Sequence, residues 1–344
     1  METRFKRKKS KCNIVVISLF HGLGASRLAL EDVEHLNVLR CYSSEIDEYA
    51  IKTADKNFPQ DIDHKLGNII SIDWKKIKKE IFDAFGDVKI LLIGGSPCQG
   101  FSIAGRMEGS LTVCGIDVMS SEQYMSMKQS NFVFKGQSYL IWEFIRALKE
   151  VSPAYFLLEN VRVTNKWLPM FNVALGREPL NINSALLGPQ YRDRYYWHNL
   201  GNINLPIDKR GDMVLGDILE SNNEDTEKCI LSEKAISFMK AKVRDKNRIK
   251  KGLRLKTRWE HCNINVPQKK AYTLTASMYK GVPHNVTLVN WIWRTLTVRE
   301  CARLQSIRDS FVFPCSKSQS LKMIGNSFTV APITYILSHI KEST

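Results

Sequence analysis

Residues 88–102 read VKILLIGGSPCQGFS. Val88–Ile93 is apolar apart from Lys89, the pattern of a strand buried on both faces, and it runs straight into Gly94-Gly95. Open α/β sheets hold their sites just past the carboxyl ends of such strands. Pro97 fixes the backbone immediately before Cys98, and the flanking glycines permit a tight exposed turn. A cysteine held there is placed as a nucleophile rather than as core filler, although a buried core cysteine is the competing reading from position alone.

Around this stretch, short β-rich runs alternate with amphipathic ones, which predicts an α/β fold with a mostly parallel sheet. Strands are expected at Asn13–Leu19, Val38–Ser43, Ala154–Leu158 and Tyr195–Asn199. Helices are expected at Gly24–His35, Asp47–Asn57, Trp74–Phe85, Tyr139–Glu150, Val298–Gln305 and Ala331–Ile340. The alternation fades over 201–293, which reads as a small separate domain or a large insertion.

At 344 residues the chain suffices for one or two domains, and 44% hydrophobic with 25% charged residues is ordinary for a globular protein. It contains no run of 18 apolar residues, so no membrane span is expected. Met1–Lys11 is basic but no apolar segment follows, unlike a secretory signal. Fifty Lys and Arg against 35 Asp and Glu leave a net +15. Residues 1–13 carry net +5 and residues 222–270 net +8, so 13 of the 15 charges sit in two places. That concentration favours a polyanionic partner over a uniformly solvated basic surface. The eight cysteines form no C-x-x-C pair, which argues against a structural zinc site or a disulfide framework, and no metal is expected.

Four further motifs carry chemistry. Phe20-His21-Gly22-Leu23-Gly24 follows the first strand, and Glu45 ends the second. A glycine turn admits a cofactor close to backbone, and an acid at that strand tip can bind ribose hydroxyls, although a plain tight turn fits equally well. Glu159-Asn160-Val161 ends another strand, where Glu159 is either a general acid or a solvated loop residue. Gln190-Tyr191-Arg192-Asp193-Arg194 precedes an aromatic strand, and alternation sets both arginines on one face, for carbonyl or phosphate oxygens or as a charged edge. Gly325-Asn326-Ser327 lies before the last helix as a turn and cap.

Taken in order, F-x-G-x-G, Glu45, P-C-Q, E-N-V, Q-x-R-x-R, R-E-C-A-R-L-Q and G-N-S resemble the cytosine-C5 DNA methyltransferases of bacteria and phages, over essentially the whole chain. The resemblance implies a Rossmann-like class I fold dependent on S-adenosylmethionine, plus a small target-recognition domain. Cys98 would attack cytosine C6, and Glu159 would hold the N3/N4 edge and assist by protonation. Arg192 and Arg194 would sit near the base O2. Phe20, Gly22, Gly24, Glu45, Asn68, Pro97, Asn326 and Ser327 would line the cofactor site, and Arg299 would brace the small domain. The division implied is a basic arm at 1–12, a catalytic domain at 13–200 with an extended catalytic loop at 106–137, target recognition at 201–293, and a segment at 294–344 completing the catalytic domain. Thr273-Leu274-Thr275 resembles the tail of the recognition domain.

The implied activity is methylation of C5 at a specific site in double-stranded DNA, by a monomer, in the cytoplasm of a bacterial or phage-infected cell or in a nucleus if eukaryotic. A tRNA cytosine methyltransferase on the same scaffold is the nearest rival, and a catalytically dead DNA-binding module the rival from another class. Three departures stand out. Ser18 replaces a common Asp, Asn68 replaces the Asp of Gly-Asp-Ile, and 106–137 is longer than the usual loop.

Overall fold

The computed structural model describes residues 11–97, 100–101, 109–207, 209–241, 264–280, 282 and 286–341. Residues 1–10 of the arm expected at 1–12, Cys98 and Gln99, residues 102–108, and all of the basic cluster Lys240–Arg258 beyond residue 241 lie outside the described residues. The chain forms two compact units, one from residues up to 182 with 193–205 and 332 onward, the other from 183–192 and 206–331. Among the described residues, no helix is long and apolar enough to cross a membrane.

The first unit follows β1 (Cys12–Leu19), α1 (Ala25–Glu31), β2 (Leu36–Ser44), α2 (Glu48–Asn57), α3 (Trp74–Phe85) and β3 (Lys89–Gly94). It continues through α4 (Ser121–Gln129), α5 (Ile141–Val151), β4 (Tyr155–Val161), α6 (Leu168–Leu175), β5 (Leu180–Asn183) and β6 (Asp193–His198). The six strands lie in the order β2-β1-β3-β4-β6-β5. β2, β1, β3 and β4 run parallel, and β6 is antiparallel to β4. The chain leaves β1 for β2 on one side and returns to β3 on the other, so the order reverses between β1 and β3. That switch point opens a crevice at the carboxyl ends of those two strands.

The burial explains the continuous apolar runs. β1 exposes only Asn13, and β3 is buried from Ile90 to Gly94. α3 buries Trp74 and Ile81, seven residues apart and hence on one face, and Asp73 caps it by accepting from the Lys76 amide at 3.0 Å. Trp74, Leu92, Trp142, Phe144, Leu158 and Trp197 form the centre of the core. α1 stops at Glu31, short of the expected His35, because the His35 carbonyl already accepts from Cys12 N–H at 2.8 Å to open the β1–β2 ladder.

From residue 109 onward, the stretch read as an extended loop is folded onto this core. Leu111 bridges Asp117, and Thr112 bridges Phe134. α4 is capped by Ser120, and Tyr124 is buried against the rings of Phe134 and Tyr139. α4 (SEQYMSMKQ) buries only Ser121 and Tyr124, so it carries no amphipathic signal to read from sequence.

The second unit contains α7 (Glu224–Glu227), α8 (Glu233–Lys240), a hairpin of β7 (Val286–Val289) and β8 (Ile292–Thr295), α9 (Val298–Leu304) and α10 (Lys317–Asn326). α9 opens on a capping box between Thr297 and Glu300. Gln305 latches the unit, donating to the Ile324 carbonyl at 2.9 Å and accepting from the Thr329 hydroxyl at 2.6 Å. Gly325 permits a close approach, since a Cβ there would stand 2.3 Å from the Thr275 carbonyl oxygen. Residues 294–331 are compact with this unit. The last helix, α11 (Val330–Leu337), passes from the second unit into the first. There the Thr334 hydroxyl donates to the Ala29 carbonyl at 3.4 Å, and His35 Nε2 donates to the Ile340 carbonyl at 2.7 Å.

Candidate active site

Strand register builds one edge of the site. Ser44, Leu19, Gly94 and Leu158 are successive partners across β2, β1, β3 and β4. The residues that follow them, Glu45, Phe20, Gly95 and Glu159, therefore share the carboxyl edge on which the switch point opens.

Phe20 (φ 53°), Gly22 (60°) and Gly24 (92°) are all left-handed. A Cβ on Gly24 would strike the Phe58 ring at 2.5 Å, whereas one on Gly22 would meet only the Phe20 carbonyl oxygen at 3.9 Å. Gly22 thus keeps an open cradle above the edge, and the strained Phe20 backbone marks the same turn. Glu45 holds the turn. Its Oε2 accepts from Gly22 N–H at 2.8 Å, and its Oε1 accepts from the Ile46 and Asp47 amides at 2.7 and 2.9 Å. A carboxylate offers about four acceptor positions, so these three bonds leave room for one hydroxyl donor. Ser43 accepts from Leu66 N–H at 2.7 Å, and Ser44 donates to the Gly67 carbonyl at 2.7 Å, which draws the exposed Asn68 alongside. An open glycine cradle, an acceptor and an exposed amide form a donor set that fits an adenosine-bearing cofactor.

Ser18, at the position where aspartate is common, bonds within the protein. Its hydroxyl meets Ser26 Oγ at 2.9 Å and His21 Nδ1 at 2.8 Å. Burial, with Arg27 nearby, lowers the His21 pKa to about 4, so the ring is neutral around pH 7.

Cys98 lies outside the described residues, and the described residues on either side of it are held in place. Before it, Asn160 Nδ2 donates to Ser96 Oγ at 3.0 Å and to the Ser96 carbonyl at 3.3 Å, with both residues buried. After it, Gly100 N–H donates to Ser138 Oγ at 2.7 Å, and its carbonyl accepts from Gly109 N–H at 2.9 Å. Pro97 is half-buried between these anchors. Ser96, Ser138 and the role of Asn160 went unread in sequence, although Asn160 stands in the E-N-V motif. Cys12, Cys41 and Cys301 are buried. Burial pushes the Cys41 thiol up to about 12, which keeps it protonated around pH 7.

Glu159 ends the apolar part of β4 and pairs with Arg194 of β6, Oε1 to Nε 3.1 Å, with both side chains nearly buried. Arg192 does not share their strand, because β6 begins at Asp193. Its guanidinium donates to the carbonyls of Leu274 (2.8 Å), Ser327 (2.9 Å) and Gly325 (3.3 Å) inside the second unit, so the expected alternation with Arg194 does not hold. Asn326 ends α10 there, and the Ser327 hydroxyl donates to the Phe328 carbonyl at 3.1 Å. Arg299 pairs with Glu220 (3.4 Å) and Asp309 (3.9 Å), also within the second unit. Among the described residues, no group of three His, Cys, Asp or Glu side chains could hold a metal ion.

A mainly parallel sheet reversing between β1 and β3, with a glycine turn and two carboxylates on one carboxyl edge, is the fold of class I S-adenosylmethionine-dependent methyltransferases. The chain belongs to the C-5 cytosine-specific DNA methylase family, whose profile matches residues 14–166 and 186–342. It is 30% identical to the type II methyltransferase M1.ScrFI of Lactococcus lactis subsp. cremoris, over 98% of this chain and 79% of that one. It is 27% identical to the type II methyltransferase M.NlaX of Neisseria lactamica, over 95% of this chain and 96% of that one. The fold also matches the Entamoeba histolytica methyltransferase EhMeth, with TM-score 0.66 and 18% identity over 96% of this chain and 98% of that one.

Proposed function

We propose that the protein methylates C5 of cytosine at a specific site in double-stranded DNA, using S-adenosylmethionine, base flipping and a covalent adduct between Cys98 and C6. The observation that carries this reading is the bond from Asn160 to Ser96, which ties the turn leading into Cys98 to the strand end that bears Glu159. Nucleophile turn and carboxyl group are thereby fastened to one another.

Cytosine C5 is too weakly nucleophilic to take a methyl group unaided. The cofactor supplies an electrophilic methyl group on a sulfonium centre. Addition of the Cys98 thiolate at C6 turns the ring into an enamine-like nucleophile, and a proton delivered toward N3 at Glu159 lowers that barrier. Arg194 holds the Glu159 carboxyl group in place and takes up its charge. Loss of the C5 proton and of Cys98 then restores the aromatic ring. A base inside the duplex cannot reach such an edge, so the target must be flipped out. Glu45 and Asn68, with Phe20, Gly22, Gly24 and Pro97, bind the cofactor.

Residues 201–293 serve as the target-recognition domain, their basic cluster supplying phosphate contacts to DNA. The resemblance to type II methyltransferases supports a restriction-modification role in a bacterial or phage-infected cytoplasm.

Nucleoside mass spectrometry tests the reading. Wild type and Cys98→Ala are incubated with S-adenosylmethionine and either duplex DNA or tRNA. Cys98-dependent 5-methylcytosine in DNA is the expected result, and methylation of tRNA alone, or of neither polymer, overturns it.

A further inference from the structure

Residues 109–137 do something more specific than fill space. Lys128 of α4 donates from Nζ to the Ile70 carbonyl at 2.9 Å and pairs with Glu143 Oε1 at 2.7 Å. Arg146 of α5 donates to the carbonyls of Ile69 and Ile72, both at 3.0 Å, and from Nε to Glu143 Oε2 at 2.7 Å. Glu143 is wholly buried and also accepts from the Tyr124 hydroxyl. Two cations thus converge on one buried carboxylate and also donate to three carbonyls of the turn Ile69–Ile72.

That turn begins at Asn68. Asn68 Oδ1 accepts from Ile70 N–H at 3.1 Å, and its carbonyl accepts from the Ser71 hydroxyl at 3.0 Å. That same end is held to β2 by the Ser44–Gly67 bond. Asn68 is exposed while the carbonyls behind it are gripped, so its side-chain position is set from the buried side.

We infer that the 109–137 insertion is a prop for the cofactor turn, with Lys128 as a positioning residue that fixes Asn68 for cofactor binding through the Ile70 carbonyl. The inference rests on the reading that Asn68 faces S-adenosylmethionine. Neutral Asn68 lacks the charge of the aspartate common at its position, so its contribution depends on being held in one geometry. Arg146 reaches the turn from α5 alone, and Lys128 is the insertion's own addition.

The test is calorimetric binding of S-adenosylhomocysteine to the full chain, in wild type, Lys128→Met, Lys128→Arg, Asn68→Ala and the double variant Asn68→Ala/Lys128→Met. Lys128→Met is expected to weaken binding about tenfold, the scale of one charged hydrogen bond, with Lys128→Arg recovering most of it. The double variant is expected to bind no more weakly than the worse single variant, because one residue acts through the other. Affinity for duplex DNA stays unchanged. Wild-type affinity in Lys128→Met, full additivity with Asn68→Ala, or an equal loss of DNA affinity overturns the inference. If Lys128→Met does not fold, Tyr124→Phe decides: a loss of about threefold supports the prop, and no loss overturns it. A folded wild type that binds neither S-adenosylmethionine nor S-adenosylhomocysteine instead overturns the proposed function itself.

Discussion

Arg194 and Glu159 meet diagonally across two antiparallel strands. Arg194 pairs in register with Val161, two residues beyond Glu159 on the same face, and the side chains close at 3.1 Å. The pair stands at the carboxyl end of β4, which has the parallel β3 on one side and the antiparallel β6 on the other. Glu159→Gln keeps the shape and removes the titratable proton, so kcat is expected to fall by about 10²-fold or more. Single-turnover methyl transfer with unchanged thermal midpoint checks this, and wild-type turnover would remove Glu159 from the chemistry.

Asn160 and Ser96 make a separable prediction. Asn160→Ala strips the buried Ser96 of both side-chain donors, which is expected to destabilise the fold by about 1–3 kcal/mol. Because the lost bonds hold the nucleophile turn, kcat is expected to drop as well. Urea unfolding beside steady-state kinetics separates the two effects. A stability loss with kcat intact would confine the pair to a scaffolding role.

His21 predicts a pH dependence. Its pKa falls from 6.5 to about 4 on folding, chiefly through burial, so between those values the unfolded chain holds a proton that the folded chain refuses. Stability from this group is therefore intact above about pH 6.5 and is lost as pH falls toward 4, by roughly 3 kcal/mol in all. His21→Gln should flatten that acid limb. Denaturant midpoints of both proteins from pH 7 to 4.5 provide the comparison, and parallel curves would refute the assignment.

Glu300 and Arg299 are neighbours with opposite expectations. Glu300 is fully buried, bidentate to Arg294 at 2.6 and 2.7 Å, and also accepts from the Thr297 and Glu220 amides. Glu300→Ala leaves Arg294 buried without that partner and is expected to destabilise by about 3–5 kcal/mol. Arg299 is half-exposed and its ion pairs are long, so Arg299→Ala is expected to change stability by about 1 kcal/mol or less. Thermal melts of the two variants test the ranking.

Much of the first unit was legible in the residues. β1, β3 and β4 announce themselves because strands buried on both faces must be continuously apolar, and α3 because Trp74 and Ile81 repeat on one face. α4 and α10 went unread because their faces are mixed. Few side chains of α4 enter the core, and its Lys128 is held by charge rather than apolar periodicity. In α10 the buried Leu321, Met323 and Ile324 are mixed with buried Ser320 and Gly325. Arg192 illustrates a different failure. Two arginines spaced by two suggest one strand face, yet the strand starts between them and Arg192 turns to three backbone carbonyls supplied by residues 82 to 135 positions away.

The sequence by itself determined the fold class, the family and the order of the site's motifs, because apolar periodicity and glycine or proline placement are local properties of the chain. Only the tertiary structure decided which groups meet: Glu159 with Arg194, Asn160 with Ser96, Glu45 with the Gly22 amide and Lys128 with Glu143. Those pairings depend on strand order, register and burial, and a hydrogen bond between distant residues leaves no trace in the spacing of either one.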